Sequence, residues 1–488
     1  MNKFKRAYTK AKNLLQPHKN TLVLLFLAII FFSFSIMLTY DSTHYLNYVA
    51  IFEGQLPTSS WDIVRGPVFP IIIRLSDIIF GKTGTGILIC TFLFYLSFSF
   101  ICYIICKDIA KHYNKPKRIT AIVTAIIILN PLIFGYFHVM LTEFVAITVT
   151  MLNILLAYKW IFIDPKDKKT AISYLIYFIF ITIFCWHLKQ PYAIIVFAPL
   201  ITALILSICK NHKRGNILYR VGTVLLSILF LIVSIFVWNN CILNLMQVDK
   251  TTNRDSSSML GKQLLLTYQI PYESDNANQS IPVKKAIPIF ASNFFSNPGK
   301  IIGTYLKNYC GLTSICKITS ENQVDYIATS ELDLLNTYEN TSIGYATYQL
   351  KNNSLYAVED INDNTLEYAS NYSTPISHNI FTPIMKALRY PTNILFKLAM
   401  ILCLPALIIL IIVKAKTKTK KYDSLFYISI TLLTTASLHL LISAAAALII
   451  DRYAIEAFAP SILGILGTFT YVKLVRNTNK TKITTTRH

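Results

Sequence analysis

The residues best placed to do chemistry stand where the first long apolar stretch ends, in Tyr40-Asp41-Ser42-Thr43-His44-Tyr45-Leu46-Asn47-Tyr48. Tyr at +4 and +7 from Asp41 sets one carboxylate and two aromatic rings on one face of a helix. A carboxylate at a bilayer surface stays ionised while losing part of its water, which suits a general base for a sugar or protein hydroxyl. The same residue could instead cap the following helix, and the spacing alone leaves both readings open. Glu143 is open in the same way, between a site acid and a helix N-terminal acid favoured by the macrodipole. Lys189 and Arg452 stand between phosphate ligands and cations that snorkel to headgroups. His44, His138 and His187 read more readily as polar anchors than as ligands. The chain has no C-x-x-C pair, no Cys/His metal spacing, no P-loop and no G-x-S-x-G.

Membrane helices must position these residues. Of the 488 residues 54% are apolar and 14% charged, against about 25% charged in soluble domains. That excludes a soluble globular protein, and 30 Phe and 29 Tyr exclude a disordered one. Apolar runs near the ~20 residues a bilayer requires occur at Thr21–Tyr40, Thr83–Cys106, Ile119–Phe137, Glu143–Phe162, Thr170–His187, Tyr192–Cys209, Val221–Cys241, Asn393–Val413, Ser424–Ile449 and Tyr453–Val472. The sequence therefore predicts an α-helical polytopic protein with about ten spans. Their central thirds carry almost no ionisable residues. Val68–Phe80 is excluded from the set because 13 residues reach only ~20 Å of the ~30 Å of hydrocarbon. It is expected to lie as an interfacial helix in the first outer loop, 41–82.

Charge sets the orientation. The N-terminal tail, the loops Lys107–Arg118, Lys159–Lys169, Lys210–Arg220 and Lys414–Asp423, and the C-terminal tail hold 29 of the 46 Lys and Arg but only four acids. Basic loops stay in the cytoplasm, so both termini are expected there, in a plasma membrane of bacterial type. The net charge of +22 then reflects topology and attraction to anionic headgroups, not nucleic acid. Three parts result: a transmembrane module over 1–241, a polar extracytoplasmic region over 242–391 with mixed strand-like and helical cues, and C-terminal helices with a cytoplasmic tail over 392–488. In the outer region, Cys310 and Cys316 are candidates for a disulfide. Asp41, Arg65, His138, Glu143, Lys189 and Arg452 all fall on the outer side, and ionisable groups near membrane depth tend to mark sites.

A longer pattern joins some of these residues: Asp41, Tyr45, Ala50 and Gly54, then Arg65, Pro67 and Pro70 leading an apolar segment that ends in Phe80-Gly81. It resembles the first outer loop of the GT-C glycosyltransferases. These are polytopic enzymes that use polyprenyl-phosphate sugars, and they include the protein O-mannosyltransferases of glycosyltransferase family 39 and the aminoarabinose transferases. Asn130-Pro131 and Leu141-Thr142-Glu143 resemble the family's helix–loop–helix with a second acid. Lys189-Gln190-Pro191 falls where relatives carry a basic residue, and Asp451-Arg452-Tyr453 resembles an Arg-Tyr that opens a late span. The likeness covers Thr21–Leu200 and, more weakly, Ser424–Thr468.

The resemblance implies an inverting transferase that moves a sugar from undecaprenyl phosphate to an acceptor hydroxyl on a cell-surface glycan, lipid or protein. Asp41 would be the base. Arg65, Lys189, Arg452, Tyr453 and Tyr45 would bind the lipid phosphate or the substrate, while Glu143 and His138 would orient the acceptor or hold a metal. Many relatives follow the first acid with a second, but Ser42 follows Asp41 here, so the cofactor stays open between none and a divalent cation. The rival readings are a polysaccharide polymerase or ligase, whose catalytic Arg and His would sit in 242–391, and a lipid-linked glycan flippase or transporter.

Overall fold

The computed structural model describes residues 19–34, 36, 40–61, 66–210, 214–248, 261, 264–271, 281, 283–312, 381–417, 420–446 and 454–485, and every regular element among them is helical. In chain order these are α1 (Lys19–Phe32), α2 (Tyr40–Phe52), α3 (Val68–Phe80), α4 (Gly84–Ala110), α5 (Pro116–Ile128), α6 (Pro131–Tyr136), α7 (Glu143–Trp160), α8 (Lys168–Leu188), α9 (Ala193–Lys210) and α10 (Arg214–Val237). A π turn at Trp238–Ile242 extends α10. After them come α11 (Val283–Ser296), α12 (Pro298–Leu312), α13 (Phe381–Thr417), α14 (Asp423–Ala446) and α15 (Ile455–Thr485). Within 242–391 every regular element among the described residues is helical, so the strand-like cues read there are not borne out in that part.

Among the described residues seven helices are long and apolar enough to cross a membrane, the composition of a helical multi-pass membrane protein. They correspond to seven of the ten expected spans. Two more expected spans contain the apolar helices α1 and α9, of 14 and 18 described residues. The stretch Ile119–Phe137 is broken into α5 and α6. The break has a local cause, since the residue before a proline is pushed out of helical geometry. Asn130 stands there with ψ near 120°, and its side chain accepts the N–H groups of Leu132 and Ile133 to start a new helix at Pro131.

Other boundaries are equally local. Thr83 caps α4 by accepting the Gly86 N–H at 3.0 Å. Asp167 caps α8, and hydrogen bonds from Thr170 hold its carboxyl below the usual range. Gly81 ends α3 at φ +88°, a conformation that favours glycine. α3 keeps the 13-residue length read from the sequence and is bound to α2 through Glu53, which pairs with Arg74 and, at 2.7 Å, with Lys82. α7 is buried along most of its length, whereas α10 is largely exposed at the side of the bundle.

Side-chain bonds gather the basic loops at one end of the bundle. Tyr113 meets Thr470 at 2.7 Å, Tyr158 meets Ser424 at 2.6 Å, and Lys414 pairs with Asp423. Buried Arg220 donates to the carbonyls of Trp160, Ile161 and Ile163 at 2.6, 3.3 and 3.0 Å, satisfying the C-terminal end of α7. The starts of α7, α9 and α15 and the ends of α8 and α14 therefore meet at the other end.

Candidate functional site

At that opposite end three elements named by the sequence converge. α2 opens with Tyr40 and Asp41, and the hydroxyl of the next residue, Ser42, donates to the Met140 carbonyl at 2.8 Å. This bond sets the start of α2 against the turn that leads into Glu143. Glu143 is the first residue of α7 and is 1% exposed, so its carboxylate lies buried at a helix N-terminus, where the macrodipole favours it. Thr142 donates to one of its oxygens at 3.3 Å, and Lys189 pairs with the other at 3.4 Å.

Lys189 arrives from the turn that ends α8. It leaves helical geometry at φ −167°, and a short 3-10 turn at Gln190–Tyr192 leads on into α9. Its ammonium also stands 5.5 Å from the centre of the Tyr192 ring. The Tyr192 hydroxyl is 3.2 Å from Thr142 Oγ1. This buried tyrosine therefore ties the turn before α9 to the start of α7.

Gly66 is pressed onto the same turn. A Cβ on Gly66 would lie 1.8 Å from the His187 carbonyl oxygen, so only glycine allows this approach. Tyr45 is buried with its ring edge-on to Phe69 at 4.7 Å, and Tyr48 stacks on Trp61 at 4.3 Å. The two aromatics expected beside Asp41 are thus part of the packing that holds α2 against α3 and Trp61. The side chains of Asp41 and His44, all of Arg65, Arg452 and Tyr453, and Cys316 with its pairing to Cys310 lie outside the described residues; Cys310 itself is in α12.

His138 is set apart from this cluster. Its Nδ1 lies 2.9 Å from the Phe134 carbonyl and its Nε2 3.0 Å from the Phe31 carbonyl, with Phe31 and Phe134 packed on its ring. Both ring nitrogens face backbone oxygen, so the ring ties α1 to α6 and has no nitrogen turned toward the acceptor-orienting or metal role expected of it. Among the described residues no group of three or more His, Cys, Asp or Glu side chains could hold a metal ion.

Sequence reading passed over Glu456 and His439. Glu456 is buried in the first turn of α15, and its Oε2 lies 3.4 Å from Nε2 of His439 on α14. A signal was present, because an acid in the first turn of an apolar span is the same pattern that singled out Glu143. His439 is the ionisable exception in the middle of an expected span. Comparison with family models, curated proteins and solved structures gives no match.

Proposed function

We propose that the chain is a membrane glycosyltransferase that moves a sugar from a polyprenyl-phosphate carrier to an acceptor hydroxyl at the outer face of a bacterial plasma membrane. The observation that carries this reading is the meeting of the Asp41 end of α2, buried Glu143 and Lys189 at the end of the bundle away from the basic loops. Burying ionisable groups near membrane depth is costly, and their concentration at one end fits a site there.

In this mechanism Asp41 takes the proton of the acceptor hydroxyl, and the oxygen attacks the anomeric carbon. The bond to the carrier phosphate breaks, and the lipid phosphate leaves as a stable anion, so a cation serves it better than a strong acid. Lys189 already faces Glu143, which makes that pair a positioning unit for the turn and gives the phosphate to Arg452 and Arg65. Glu143 orients the acceptor through Thr142 and Tyr192. If a divalent cation takes part, Asp41 and Glu143 would supply carboxylate oxygens to it.

The rival readings draw less support. The outer region 242–391 has only Arg254, Arg389 and His378 as Arg or His, sparse for a polymerase or ligase that works through them. A flippase or transporter gains the buried His439–Glu456 pair, and a transport measurement in vesicles separates it from a transferase.

The test compares wild type with Asp41→Asn in isolated membranes supplied with polyprenyl-phosphate sugars. A general base contributes about 10²- to 10⁴-fold, so transfer should fall by at least 100-fold at equal expression. Undiminished transfer by a well-expressed Asp41→Asn protein would remove the mechanism.

A further inference from the structure

α11 and α12 form a helical pair built from a sequence unlike its surroundings. The region 242–391 carries thirteen acids against eleven bases, yet 283–312 holds four of those bases, Lys284, Lys285, Lys300 and Lys307, and no acid. All four lysines are exposed. The basic bias that marks the other end of the bundle cannot account for them, because this pair docks at the opposite end. Tyr305 donates to the Leu441 carbonyl at 3.2 Å, and buried Asn308 donates to the Ala444 carbonyl at 3.3 Å. Both acceptors lie in the last turns of α14.

The two helices have two apolar faces. One packs inward on a small core around Leu265, Tyr268, Ala286 and Ile301. The other is uncovered: Ile287 and Phe295 recur two turns apart on α11, and Ile302 and Leu306 one turn apart on α12, with exposures from 48% to 81%. Leu438 and Ile442 of α14, in the turns whose carbonyls accept the Tyr305 and Asn308 bonds, are exposed apolar residues as well, on a helix long and apolar enough to cross a membrane. A helix with an exposed apolar stripe, flanking lysines and no acids, held at the level of a membrane helix end, has the composition of an interfacial helix.

We infer that α11 and α12 lie in the headgroup layer at this end of the bundle, with Phe295, Ile302 and Leu306 in the acyl boundary and the four lysines binding anionic phospholipid phosphates. The inference stands without the transferase assignment and rests only on the chain being a membrane protein. It changes the expected part played by the outer region, whose described helices would then be a membrane-bound collar beside the site and not a solvent-exposed domain.

The test uses the full-length protein in vesicles of phosphatidylcholine mixed with phosphatidylglycerol, with a photoactivatable analogue of one lipid or the other, and maps labelled peptides by mass spectrometry. Peptides within 283–312 should be labelled by the phosphatidylglycerol probe in clear preference to the phosphatidylcholine probe. Each lysine near the surface contributes about a fivefold preference for anionic lipid. The variant Lys284→Gln/Lys285→Gln/Lys300→Gln/Lys307→Gln should therefore lose at least about tenfold of that preference, while labelling of Asn216–Leu245 by either probe stays unchanged and reports an intact bundle. Equal labelling by both probes would overturn headgroup recognition. No labelling of 283–312 would overturn the location, and would mean that protein or water covers the stripe.

Discussion

At the basic end Arg220 divides its guanidinium among three carbonyls at the finish of α7, and the neighbouring lysines stay in solvent or pair at the surface, as Lys414 does with Asp423. At the opposite end Glu143 begins the same helix with a buried carboxylate facing Lys189, and Glu456 repeats the arrangement on α15 facing His439. One helix thus has its C-terminus satisfied by a single donor with no evident chemical duty, and its N-terminus built into an ion pair of buried and half-buried side chains. The difference separates the two uses of charge in a membrane protein. Charge outside the hydrocarbon sets orientation cheaply, whereas charge buried among helix ends has to be matched residue by residue.

The sharpest way to break this comparison is at two glycines. Gly66→Ala places a Cβ 1.8 Å from a backbone oxygen that no rotamer can move. Overpacking of this kind costs typically 1–3 kcal/mol and occasionally more; about 3 kcal/mol is expected here, with loss of sugar transfer as the Lys189 turn is pushed aside. Gly222, in α10 two residues beyond Arg220, has nothing within 4 Å of its Cβ position. Gly222→Ala should be neutral or stabilising by up to about 1 kcal/mol. Thermal unfolding in detergent checks both, and a tolerated Gly66→Ala would show that position 66 does not need its close approach to α8.

Arg220→Ala should come next, at about 2–3 kcal/mol, because it strips buried carbonyls of their donor. Its effect belongs to stability alone. Sugar transfer per folded molecule should be unchanged, and a selective loss of transfer would erase the distinction between the two ends.

These positions also show what was legible in the chain. Hydropathy and the lysine-rich loops located most of the crossings, and the length of Val68–Phe80 excluded it as one, because both signals are carried by many residues. The interruption at Asn130-Pro131 is written in a single dipeptide: hydropathy ran through it as one span, and only the resemblance to a helix–loop–helix pointed to a break there. Glu143 and Lys189 could be named because acids and cations are rare near spans. That they face each other could not be read, since they are 46 residues apart and meet only through the turn after α8. Arg220 looked like one more loop cation, and nothing local announces that its partners are carbonyls some sixty residues away. His138 read by type as a polar anchor, and it is one, but which two carbonyls it holds is set by tertiary packing.

The smallest effect is expected from the Glu143–Lys189 pair and is the most informative about the site. Glu143→Gln preserves shape and Thr142's acceptor while removing the charge; Lys189→Gln removes its counterpart. Lys189 is partly exposed, with 23% of its side chain accessible, so solvent weakens the attraction and each single change should destabilise by only about 1 kcal/mol. The double variant should be no worse than the worse single one, because neither charge is then left facing an uncharged partner. Transfer should behave differently. If the pair positions the turn, both singles and the double should lower kcat by a similar factor, with less change in the KM for the lipid donor. A donor KM raised by Lys189→Gln alone would instead assign that ammonium to the phosphate, and would separate two residues that the structure places together.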